Sequence, residues 1–132
     1  MAATAMLGVA QAAPNGAKPP KIDSPLSVDH GKCIESSDGT TADMLSCDEK
    51  ENVKQDRRLN ENYKKLMSKS NDDQRNTVKD AQRKWIEYRS STCSLFSIVN
   101  SGSIARIIDS QCFVNETAKR ADLLKELSDL QD

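Results

Sequence analysis

Four cysteines and one histidine are the side chains of this sequence best suited to hold a metal or attack a substrate: Cys33, Cys47, Cys93, Cys112 and His30. Their spacing argues against both uses. There is no Cys-x-x-Cys pair, and a single histidine cannot complete a zinc cluster of the usual spacing. No histidine accompanies Cys93 or Cys112 as a base, and no Gly-rich phosphate loop occurs. Carboxylates are abundant, which is the chemistry of glycosidases, but a small helical domain leaves little room for a substrate cleft. The sequence therefore points to no enzyme, no metal and no cofactor. The remaining chemistry is oxidative: two disulfides, which require an oxidising compartment.

Charge supplies the second signal. Residues 23–51 carry eight acids against two bases, whereas residues 52–93 carry eleven bases against six acids. No long run of one sign appears, so nucleic acid is not the expected partner. The acidic segment could instead meet a cationic protein, with Glu35, Asp38 and Asp43 as the candidate contacts.

These groups must be positioned by helices, because Gly and Pro are scarce after residue 40 and charge is high. The central stretch is 78–93, which holds the only tryptophan. Val78, Ala81, Gln82, Trp85, Arg89, Cys93 and Phe96 recur at steps of three and four, one face of a helix over about 72–98. An earlier helix is expected from Thr40 or Thr41 to about Ser68, with Leu45, Asn52, Leu59 and Leu66 as its stripe and Asp56 and Tyr63 beside it. Asn52 and Asp56 on that face would need hydrogen-bond partners, for which Gln82 and Arg89 are the candidates. A last helix follows Gly102, capped by Ser103, with Ile104, Ile107, Ile108, Cys112, Val114, Thr117, Ala121, Leu124 and Leu127 along it. Short turns between three helices predict an all-α fold, a small antiparallel three-helix bundle with an irregular N-terminal segment. Four cysteines allow three pairings. The short-range one, Cys33–Cys47 with Cys93–Cys112, is preferred, and loops of this order are each worth ~3 kcal/mol on a chain-entropy argument.

Residues 1–13 end in Ala10-Gln11-Ala12 and look like the tail of a secretory signal, although a basic n-region is missing. The stretch is too short to span a bilayer. Residues 14–32, with Pro14, Pro19, Pro20 and Pro25, read as a flexible linker to a domain at 33–130. With the disulfides, this predicts a periplasmic or secreted protein.

Two blocks carry a family likeness. The first is Asp56-Arg57-Arg58-Leu59-Asn60-Glu61-Asn62-Tyr63; the second is Ala81-Gln82-Arg83-Lys84-Trp85-Ile86-Glu87-Tyr88-Arg89 followed by Cys93. Cys112, Thr117, Arg120 and Leu124 close the series. Over about 33–127 the chain resembles the LprI-like family of lysozyme-inhibitor domains, small exported bacterial proteins. Ser90 stands where that family usually has Asp, and Ser101-Gly102-Ser103 replaces its Gly-Gly-Ser.

The shared residues read physically as scaffold: Asp56, Leu59, Asn60, Tyr63, Gln82, Trp85, Tyr88, Arg89, Thr117 and Arg120. The resemblance implies a binding protein that occludes a lysozyme or other cell-wall hydrolase. Two alternatives are an immunity protein against a delivered toxin and an assembly factor of the bacterial envelope. The assembly factor would bind through the basic face of Lys64, Lys65, Lys69, Arg83 and Lys84. Oligomeric state is not encoded in any of these features.

Overall fold

The structure, a computed structural model, describes residues 25–132, so the signal-like segment and most of the linker fall outside the described residues. Four helices follow: α1 (Val28–Ser36), α2 (Thr41–Ser68), α3 (Asp72–Val99) and α4 (Ser103–Asp129). Among the described residues there is no strand. The fold is all-α, but the three-helix expectation is corrected by α1.

That helix is hidden in the sequence for a physical reason. Nine residues is below the length at which an isolated helix persists, and Gly31 inside it lowers the intrinsic preference further. Local capping supplies part of the remedy. The Ser27 side chain accepts from the His30 amide, and Asp29 lies in the first turn, near the positive end of the helix. Gly39, at φ +73°, turns the chain. Thr40 then caps α2 by accepting from the Asp43 amide at 3.1 Å.

The start of α3 is a capping box, in which Asn71 accepts from the Gln74 amide and the Gln74 side chain accepts from the Asn71 amide. At α4 the cap position belongs to Gly102, at φ +77° and without a side-chain cap; Ser103, expected to cap, is the first helical residue. Only glycine adopts that backbone conformation readily, which decides the position.

Cross-helix pairs fix the directions. Asn62 donates to the Ala121 carbonyl at 3.0 Å, Lys69 to the Ser128 carbonyl at 3.0 Å, and Arg58 pairs with Asp122 at 2.5 Å. From Asn62–Ala121 to Lys69–Ser128 the residue numbers rise together, so α2 and α4 run parallel. Arg89 against Thr117, Gln82 against Arg120, and Cys93 bonded to Cys112 make α3 antiparallel to α4. Close backbone contact is concentrated between α2 and α4, with α3 resting on α4 and α1 on α2.

Small side chains permit the central pairing. Thr117, Ala118 and Ala121 are completely buried, and Ser128 nearly so. Leu59, Leu66, Trp85, Ala121 and Leu124 form the apolar cluster, with Tyr63 and Val78 against it. The Trp85 ring reaches across where the backbones of α2 and α3 stay apart. Arg89 lies between rings, its guanidinium carbon 4.6 Å from the Trp85 centroid and 3.9 Å from that of Phe113.

The α2 stripe needs a second correction. Leu59 and Leu66 are buried, but Leu45 and Asn52 only partly so, and Asp56 is exposed. Apart from the disulfide-bonded Cys47, the rest of the buried face is polar: Asp48, Glu51, Gln55 and Asn62. On α4, Ile104 and Leu127 point outward, while Ala105, Ala118 and Ser128 are inside.

Ala121→Leu forces three extra carbon atoms into the tightest seam and is expected to cost about 1–3 kcal/mol or more. Urea denaturation of wild type and variant under oxidising conditions measures it. An unchanged midpoint would show that the seam is looser than described.

Candidate partner-binding site

The disulfides join Cys33 to Cys47 and Cys93 to Cys112, with Cα separations of 5.7 and 5.6 Å. The first fastens α1 to α2. α1 buries no residue completely, and polar contacts join it and its cap to α2 as well. His30 Nε2 lies 2.7 Å from Asp48 Oδ1. Ser27 donates its amide to Glu51 Oε1 at 2.8 Å and its hydroxyl to Oε2 at 2.6 Å. Gln55 also donates to Glu51, at 2.7 Å, and Arg58 donates to Gln55 at 2.6 Å. Lys54 spans the edge to Asp29 at 3.1 Å.

Burial is the largest influence on the Glu51 carboxyl and pushes it up. The Ser27 hydroxyl, the Gln55 amide, the Ser27 amide and Lys54 together outweigh it and hold the group below its ordinary value.

The acids of the N-terminal segment thus divide into two sets. Asp48 and Glu51 turn inward to hold α1. Glu35 on α1, Asp38 in the following turn and Asp43 in the first turn of α2 are exposed, and none forms an ion pair among the described residues. Asp43 lines a shallow depression of about 240 Å³ beside the Cys33–Cys47 bond.

The motif residues divide as well. Leu59, Trp85 and Thr117 are buried, and Tyr63, Gln82, Arg89 and Arg120 are half-buried. Asp56, Asn60 and Tyr88 are exposed, so for these three the scaffold reading as core residues is corrected. Neither expected partner of Asn52 and Asp56 bonds to it. Arg89 donates to Thr117 Oγ1 at 2.8 Å, and Gln82 accepts from Arg120 at 3.0 Å. Burial lowers both arginines from their ordinary values; Asp56, near Arg89, works the other way. Asp56, Asn60, Tyr63, Gln82, Trp85 and Arg89 border an open groove of about 210 Å³ between α2 and α3. Two guanidinium groups, of Arg89 and Arg120, lie over the Trp85 ring, which limits what the groove can stack.

A third feature went unread in the sequence. Residues 90–105 contain no charge in a chain that is 30% charged. They form the end of α3, the turn and the start of α4, and Leu95, Ile98, Val99 and Ile104 are exposed there. Cys93–Cys112 closes the base of this tip. Because α2 and α4 are parallel, the tip and the acidic corner share one end of the bundle.

A family model described as "Lysozyme inhibitor LprI" matches residues 33–124. The chain belongs to the LprI family. Comparison with curated proteins finds no match, nor does comparison with solved structures. Within the LprI domain the matched span takes in both disulfides, the apolar tip and the motif groove, and begins inside α1. No helix among the described residues is long and apolar enough to cross a membrane. No three His, Cys, Asp or Glu side chains among them gather to hold a metal ion.

The Glu51 geometry predicts acid release of α1. A carboxyl held below its ordinary value of 4.5 contributes stability that is complete above that pH and is lost as pH falls through the lowered folded value. The NMR signal of the Ser27 amide should therefore move toward an unbonded position only below pH 4.5. Glu51→Gln should flatten that titration. A Ser27 signal indifferent to pH in wild type would refute the docking geometry.

Proposed function

We propose that this protein is an exported inhibitor that binds a lysozyme or related cell-wall hydrolase and blocks its cleft without chemistry of its own. The observation that carries the reading is the end of the bundle that bears both acids without an ion pair among the described residues (Glu35, Asp38, Asp43) and an uncharged apolar tip (Leu95, Ile98, Val99, Ile104). An apolar centre with a charged rim is the composition of a protein-binding surface. Lysozymes work through carboxylates in a cleft, and many are cationic, so an acidic rim would speed association and the tip would fill the cleft. Family membership supports the same reading. The two disulfides suit a periplasmic or secreted location and would keep the surface rigid before binding.

The test is lysis of a peptidoglycan suspension by a panel of lysozymes with oxidised and reduced protein. Dose-dependent protection that is lost on reduction is expected. Replacing Glu35, Asp38 and Asp43 together by Lys should slow association about tenfold or more at low salt, with a smaller effect at high salt. Replacing Ile98 and Val99 by Ser should raise the dissociation rate instead. Reversing Arg83 and Lys84 on the far face of α3 should change neither rate. Protection against none of the panel would redirect the search to a delivered toxin as the target.

A further inference from the structure

Beside the acidic corner, α2 and α4 enclose a pocket of about 250 Å³ lined by Asp48, Glu49, Asn52, Asp109, Ser110 and Phe113. Its polar lining is short of donors. Asp48 is 1% exposed; His30 meets Oδ1, and Oδ2 has no hydrogen-bond partner among the described residues. One helical turn on, Asn52 Oδ1 is buried and equally unpartnered. Glu49 and Asp109 carry no ion pair among the described residues, and no Lys or Arg lines the pocket. Two unmet buried acceptors one turn apart cost stability that an apolar side chain at position 52 would recover. Both acceptors are left to receive a donor from outside the described chain.

We propose that this pocket is a receptor for a guanidinium group, supplied by an arginine of the protein partner. The inference rests on the inhibitor reading for its partner and on the pocket alone for its chemistry. A guanidinium offers several N–H donors in a planar fork, enough to serve Asp48 Oδ2 and Asn52 Oδ1 together with the Asp109 carboxylate at the mouth. It is weakly hydrated and tolerates an aromatic wall, which Phe113 provides; the same ring already receives Arg89 from within the chain. A bare cation fits less well, because hard cations need several converging oxygen ligands, and Asp48, Glu49 and Asp109 line the pocket without forming a group that could hold a metal ion. Both acceptor oxygens are buried while the Asn52 side chain is only half-buried, so admitting the group requires that side chain to turn.

The test is an NMR titration of the oxidised full chain with methylguanidinium, and in parallel with calcium and with methylammonium. Saturable shifts of the Asn52 side-chain amide and the Asp109 and Ser110 backbone amides are expected with methylguanidinium. They should vanish in Asn52→Leu, a variant whose melting temperature should equal or exceed that of wild type. No saturable shift would overturn the proposal. So would a response to calcium in place of methylguanidinium, or an Asn52 amide found bonded to Asp48 and indifferent to all three probes.

Against a lysozyme that wild type inhibits, Asn52→Leu and Asp109→Asn should each weaken affinity on the order of tenfold or more. Full affinity in both would overturn the partner-arginine assignment while leaving the inhibitor reading intact. Methylguanidinium binding by a protein that inhibits no lysozyme would keep the receptor and refute the lysozyme target.

Discussion

The rest of this structure depends on the close parallel approach of α4 to α2. It is possible because α4 presents Thr117, Ala118, Ala121 and Ser128 to its neighbour, side chains small enough to let two backbones come together. Once they do, Asn62 can reach the Ala121 carbonyl and Lys69 the Ser128 carbonyl, bonds that hold the register along the seam. Burying a small residue removes little apolar area from water, so the seam is held by contact density and satisfied polar groups more than by large side chains. Leu59, Leu66, Leu124 and Trp85 supply the apolar cluster that this seam leaves to one side.

A parallel pair in a chain with short turns needs an intervening helix to return the chain, and α3 does this while packing mainly on α4. Its consequences run through the molecule. The gap between α2 and α3 is filled by one indole ring flanked by Arg89 and Arg120, which leaves the shallow groove beside the motif residues. The starts of α2 and α4 and the end of α3 come together at one end. That end carries nearly everything a partner could recognise: the acidic corner, the uncharged tip, and the pocket between Asp48 and Asp109. Each LprI disulfide fastens a part of this end, one holding α1 and the other the base of the tip.

The docking of α1 shows how a small protein can order a segment that cannot order itself. No side chain of α1 is fully buried, so its place depends on a covalent bond, two polar contacts to buried acids, and an exposed ion pair. A surface ion pair such as Lys54–Asp29 contributes little. Removing the His30 contact takes from the buried Asp48 carboxylate its one side-chain partner among the described residues, and removing the Ser27 contacts leaves Glu51 with Gln55 alone as side-chain donor, both of which are costly. The acidic character of the segment is therefore partly structural: Asp48 and Glu51 hold α1, and the outward acids, with the second oxygen of Asp48, remain for a partner.

The sequence by itself determined the helical class, the starts of the three long helices, the apolar stripe through Trp85 and Cys93, and a family likeness carried by short motifs. These are local properties: capping residues, turn residues and a period of 3.6 act within a few positions of the chain. It did not reveal α1, because nine residues with a central glycine have no local reason to be helical. Nor did it reveal half of the buried face of α2, because Asp48, Glu51, Gln55 and Asn62 are polar and hydrophobic periodicity cannot see them. Asp56, Asn60 and Tyr88 looked like scaffold by their place in the motifs, and the separation of α2 from α3 left them in water. Only the tertiary structure decided that α2 and α4 run side by side in the same direction. That choice rests on the fit of two helix surfaces far apart in sequence, and it is what brings the acids, the apolar tip and the unmet acceptors of Asp48 and Asn52 to a single end.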